Sequence, residues 1–200
     1  DLVGAIEMNS VAIARAGGAR TVAHAMHPLN LYLAGRAIDG IECGVRATEM
    51  ARASRDTTFT MYALSHYGLS LGGAGRYTDA AEIFDEVRQF GRKYGVLQLL
   101  ARATAMTGGL HLSVFDFEGA EALAFEAREL GRSPGFLPSV VSAGIDLLLM
   151  CARQHDPGRA DGLLSETSTA AVGAAGSHGW LGQLRLGQGR AEPALAHGPF

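Results

Sequence analysis

The sequence predicts an all-helical fold of stacked helical hairpins, and three observations carry the prediction. The chain resembles itself at a shift of 40 residues, its apolar residues recur at helical rather than strand spacing, and glycine-bearing turns fall at matching places in successive copies. Sustained alternation of apolar and polar residues is found nowhere, so strands are not expected.

The register is clearest between LAGRAIDGIECGVRATEMAR and GAGRYTDAAEIFDEVRQFGR, where Gly35, Arg36, Asp39 and Glu42 fall on Gly75, Arg76, Asp79 and Glu82. A further shift places Phe117 on Tyr77, Ala120 on Ala80 and Arg132 on Arg92, and another brings Ala160 onto Ala120. Each copy reads as two helices. In the second, an apolar stretch from Thr60 to Leu71 meets a glycine-rich break. Ala80, Ile83, Phe84, Val87 and Phe90 then mark one face of a second helix. The third pairs a helix over 103–115 with one marked by Ala120, Leu123, Ala124, Ala127 and Leu130, and the fourth pairs 137–153 with a helix from 159 to about 172. The expected organisation is a single array over 1–200: a lone second helix at 2–16, complete hairpins at about 21–58, 60–95, 101–135 and 137–172, and a partial one at 177–200. One hairpin cannot bury its apolar faces alone, whereas stacked hairpins share a continuous core, with Gly40, Ala80, Ala120 and Ala160 admitting close helix approach. Pro193 should stop or kink the last helix, since proline lacks the backbone donor a helix interior requires.

Composition narrows the function. A hydrophobic fraction of 48% against 18% charged residues suits a folded, soluble chain with a buried core. The formal charge of −3 and the single lysine, Lys93, leave little from which to build a phosphate-tracking surface, so no nucleic acid is expected in this segment. The longest apolar run, 145–152, contains Asp146 and falls far short of the roughly 20 residues of a membrane helix. Cys43 and Cys151 lack the spacing of a zinc site or a disulfide framework, and with no signal-like start the expected compartment is the cytoplasm. The chain begins without an initiator Met and reads as a processed or excised piece.

The combination of a small residue, a Gly-Arg turn, an aromatic and a small residue three positions later resembles the tetratricopeptide repeat, and GAGRYTDAAEIFDEV is its clearest copy. The pitch is longer than that family's usual repeat of about 34 residues. It looks like the extended variant in the C-terminal halves of bacterial transcriptional regulators with an ATPase core, and of cyclase-associated predicted ATPases. The resemblance covers nearly the whole chain. It implies a right-handed superhelix whose first helices line a concave surface, in a scaffold or sensor segment of a larger bacterial signalling protein that binds a peptide or partner helix. On that surface Tyr32, Leu69, Arg102, Leu112 and Arg153 are the expected groove residues. They lack the Lys and Asn of the family's carboxylate clamp, and the chain contains no phosphate-binding loop or DNA-binding helix pair that would carry over the larger proteins' activities. The half-hairpins at the ends, with Leu181, Leu184 and Leu186 on the last, imply apolar surface suited to pairing with a second copy.

One sequence competes with the scaffold reading. Gly68-Leu69-Ser70-Leu71-Gly72 spells the G-x-S-x-G of a hydrolase nucleophile elbow, and a serine esterase built on it would use Ser70 as nucleophile, His66 as base and Asp79 as the acid that orients the base. An elbow needs a strand before the serine and a helix after it, but the order here is helix and then glycine turn, which favours Ser70 as a helix residue. His24 and His27, three apart on one helix face, lack the further ligands a metal usually requires, so no metal is expected. Gly72, Gly73 and Gly75 follow no strand, so no dinucleotide or other cofactor is expected. Arg52, Arg92 and Arg132 close successive second helices, where a cation complements the helix dipole or forms a basic ladder.

Overall fold

The computed structural model describes residues 2–15, 22–132 and Leu149. The expected hairpin at 137–172, the partial repeat at 177–200 and Arg153, Cys151 and Pro193 lie outside the described residues. Described residues form helices α1 (Leu2–Arg15), α2 (Val22–Leu33), α3 (Ala37–Ala53), α4 (Thr57–Gly73), α5 (Tyr77–Tyr94), α6 (Leu97–Ser113) and α7 (Phe117–Leu130), with no strand among them. They belong to two compact units, Asp1–Tyr94 with α1 to α5 and Gly95–Phe200 with α6 and α7.

The turns explain why the helices end where they do. At the α2–α3, α4–α5 and α6–α7 junctions the N–H of Arg36, Arg76 and Asp116 returns to the carbonyl of Leu31, Leu71 and His111, at 2.8, 2.9 and 2.9 Å. The residue before each donor is left-handed: Gly35 at φ 73°, Gly75 at 80° and Phe115 at 62°. Glycine reaches that region at little cost, whereas a side chain there crowds its own backbone, so the third turn is strained at Phe115. Asp56 and Asp116 cap α4 and α7, accepting from the N–H groups of Phe59 (2.9 Å) and Gly119 (3.0 Å), which satisfies amides the helix leaves free.

The second helices bury a narrow stripe, mostly of small side chains but with Phe84 and Val87 on α5. On α3 it runs through Ala37, Gly40, Gly44, Ala47, Thr48 and Ala51, on α5 through Ala80, Phe84, Val87 and Gly91, and on α7 through Ala120, Ala124 and Ala127. In the first unit α2 packs on both α3 and α4, while α3 and α5 each lie against α4 and α1 lies against α2. In the second, α6 and α7 pack together. Large residues of one helix settle where the next has glycine. A side chain added at Gly68 of α4 would overlap the Phe84 ring of α5, and one added at Gly44 of α3 would stand 2.7 Å from the Tyr67 ring of α4. α4 is therefore the central helix of its unit and buries residues on most of its circumference, including Met61, Ala63, Leu64, Ser65, His66, Ser70 and Leu71. Among the described residues, no helix is long and apolar enough to cross a membrane.

Candidate functional site

Ser70 sits three residues from the C-terminus of α4, inside a continuous helix, without the strand-turn-helix setting that exposes an elbow serine. It is fully buried. Its hydroxyl is placed to donate to the carbonyl of Pro28 on α2 (3.4 Å) and to that of His66 one turn earlier (3.3 Å). Gly40 of α3 lies directly over it, where an added methyl would overlap the hydroxyl oxygen and stand 3.3 Å from the Pro28 carbonyl. The glycines around the serine have similar packing roles. Gly68 receives the Phe84 ring, and Gly73 carries the Tyr32 ring, where an added methyl would stand 2.9 Å from two ring carbons.

His66 and Asp79 do not join Ser70 in a catalytic chain. The buried His66 ring donates through Nδ1 to the carbonyl of Ala25, at 2.7 Å, because a carbonyl can only accept. A base in a serine triad points that nitrogen at a carboxylate. Asp79 lies in the first turn of α5, where its carboxylate holds the guanidinium of Arg76 at 2.5 and 2.6 Å. The same pairing recurs 40 residues earlier between Arg36 and Asp39, at 2.7 and 2.8 Å, which identifies the Arg76–Asp79 pair as a feature of the repeated turn. No group of three or more metal-ligating side chains occurs among the described residues.

The groove residues fall in different surroundings. Leu69 on α4 is half-buried. Tyr32 is also half-buried, but its ring is laid against Gly73 and near Ala37, filling the junction of α2, α3 and α4, and the same burial pushes its phenol above the ordinary tyrosine range. In the second unit Arg102 is half-buried and Leu112 is 8% exposed, which leaves Leu112 little area for a partner. Tyr62, half-buried on α4 seven residues before Leu69, shares its face and was accessible to the i, i+7 rule. The arginines at the ends of second helices are engaged: Arg52 approaches Glu86 of α5 at 3.4 Å, and Arg132 holds Glu129 at 2.9 Å.

The first helices of the unit also carry two histidines with buried nitrogens. His24 Nε2 and His27 Nδ1, on α2, are enclosed and make no hydrogen bond to the protein. Burial first, and nearby Arg46 for both and Arg36 for His27, hold their protonation below the ordinary histidine range. No protein-family model matches the sequence, and no curated protein matches it.

Proposed function

We propose that the chain is a protein-interaction scaffold of tetratricopeptide type, a right-handed superhelix whose first helices receive an extended peptide or a partner helix. The observation that carries this reading is the hairpin turn repeated at a period of 40 residues, with the same backbone bond at Leu31–Arg36, Leu71–Arg76 and His111–Asp116. Such an array offers an extended face of parallel helices and little enclosed volume, and helix faces of this kind recognise partners by apolar anchors at turn spacing. In the first unit the anchors are Tyr62 and Leu69 of α4, flanked by Tyr32. In the second, Arg102 supplies a cation, with Leu112 behind it. In this reading the segment serves a larger cytoplasmic signalling protein of bacterial kind and needs neither cofactor nor metal.

The competing esterase reading is tested by turnover of short p-nitrophenyl esters by the wild-type chain and by Ser70→Ala, each shown to be folded by circular dichroism. The scaffold reading expects no turnover that depends on Ser70. Hydrolysis lost with that hydroxyl in a folded variant would reverse it.

A second reading concerns self-association. Val3, Met8 and Val11 on α1 are 64%, 74% and 46% exposed, an apolar surface of the kind a second copy covers. Light scattering at rising concentration should show a dimer that Met8→Glu with Val11→Glu dissolves, and a strictly monomeric wild type would remove this reading.

A further inference from the structure

His24 and His27 stand one turn apart on α2, and His27 is only 9% exposed. His24 Nε2 and His27 Nδ1 are both enclosed without a protein partner. A neutral imidazole tolerates this, because one of its nitrogens carries no proton and a bare nitrogen forgoes only an acceptor bond. A cationic imidazole carries protons on both nitrogens, so each enclosed atom becomes a donor with nothing to receive it.

The charges that act on the two rings oppose protonation. From α3 and its N-cap come Arg46, which acts on both rings, and Arg36, which acts on His27, and His24 also acts on His27. The nearby carboxylates are committed to those arginines, Asp39 to Arg36 at 2.7 Å and Glu42 to Arg46 at 2.5 Å, and Arg46 also reaches Cys43 Sγ at 3.4 Å. From α4 comes His66, already donating to the Ala25 carbonyl between the two histidines. None of the described ionisable groups of α1, Glu7 included, is among the charges acting on either ring.

We propose that His24 and His27 form an acid-sensitive latch on the first hairpin: neutral, they let α2 seat on α3 and α4, and protonated, they place buried unpaired donors beside two guanidinium groups and drive α2 off. Release would break polar links from α2 to α4, among them Ala25 carbonyl to His66 and Pro28 carbonyl to Ser70. The direction follows from linkage. Because both protonation midpoints are lowered in the docked state, the undocked helix takes up protons first as pH falls below about 6.5, so docking is full above that value and weakens on acidification until the lowered midpoints are passed.

Hydrogen exchange of the full chain, read by mass spectrometry at pH about 7.5 and about 5.5 and corrected for intrinsic rates, tests the latch. Amides of α2 should open more often at the lower pH, by on the order of tenfold for each unit by which docking depresses a histidine. Amides of α7 should keep their protection. The double variant His24→Gln with His27→Leu should lose the acid response of α2. Unchanged protection of α2 in the wild type, or an equal acid response in the double variant, would overturn the proposal. Should that variant fail to fold, proton NMR titration of the wild-type imidazoles decides: midpoints for both below the ordinary value support the latch, and a midpoint at or above it for either histidine overturns it.

Discussion

At Ser70, hydrogen bonding and sterics agree. The hydroxyl points at backbone carbonyls, and Gly40 exists beneath it because nothing larger fits. Gly40→Ala should therefore cost about 1–3 kcal/mol through overpacking. Much of that cost should disappear in a Ser70→Gly background, which removes both the overlapping oxygen and the carbon 3.1 Å away. Urea denaturation of the two single variants and the double variant measures the coupling. Phe115 makes the opposite case, since it takes the left-handed position that Gly35 and Gly75 fill elsewhere and stands 79% exposed, with an edge contact to Phe117. Phe115→Gly should raise stability by about 0.5–1 kcal/mol, the steric relief outweighing the added freedom of the unfolded chain. A fall in the denaturation midpoint would show that the exposed ring is held by something other than its own turn. The sequence made the role of Ser70 legible because an elbow requires a strand and none precedes it. It did not reveal where the Tyr32 ring goes, since that depends on Gly73, 41 positions away, lying bare beneath it.

Among the helices, what the sequence disclosed best was the second member of each hairpin. Of the face read from spacing, Ala80, Phe84 and Val87 on α5 and Ala120, Ala124 and Ala127 on α7 are buried, with Gly40 at the matching place on α3, whereas Ile83 and Phe90 are half-buried at its edge. The first members were harder to orient. α4 is buried on most sides, so its apolar pattern has little directional preference, and Leu69 and Leu112 could not be told apart as half-buried and buried. Helix starts show the same local logic. Asp56 caps α4 through the Phe59 amide, and Asp56→Ala should cost about 1 kcal/mol, read by thermal denaturation. Asp116 holds the Gly119 amide and His111, and those bonds, the amide first, keep its carboxyl below the ordinary aspartate range. Its contribution to α7 is thus present above the usual aspartate midpoint and is lost as pH falls through the lowered one. Exchange of α7 amides should accelerate only in that acidic window, well below the pH at which the α2 latch opens.

At the scale of the molecule, the described helices of each unit pack against their neighbours and share a repeated turn, and the polar residues of the first unit that suggested chemistry are engaged by structure: Ser70 by α2 and α3, His66 by Ala25, Asp79 by Arg76. The proposed scaffold reading assigns recognition to the first helices. Short peptides selected from a random library against the immobilised chain provide a partner of defined chemistry, and the decisive measurement is the calorimetric affinity of the best of them for the wild type and for Leu69→Asp, with Ile38→Asp on the exposed side of α3 as control. A charge at Leu69 should weaken binding at least tenfold, about 1.4 kcal/mol, while the control leaves it unchanged. Equal binding by wild type and Leu69→Asp, or a loss confined to Ile38→Asp, would contradict recognition by the first helices.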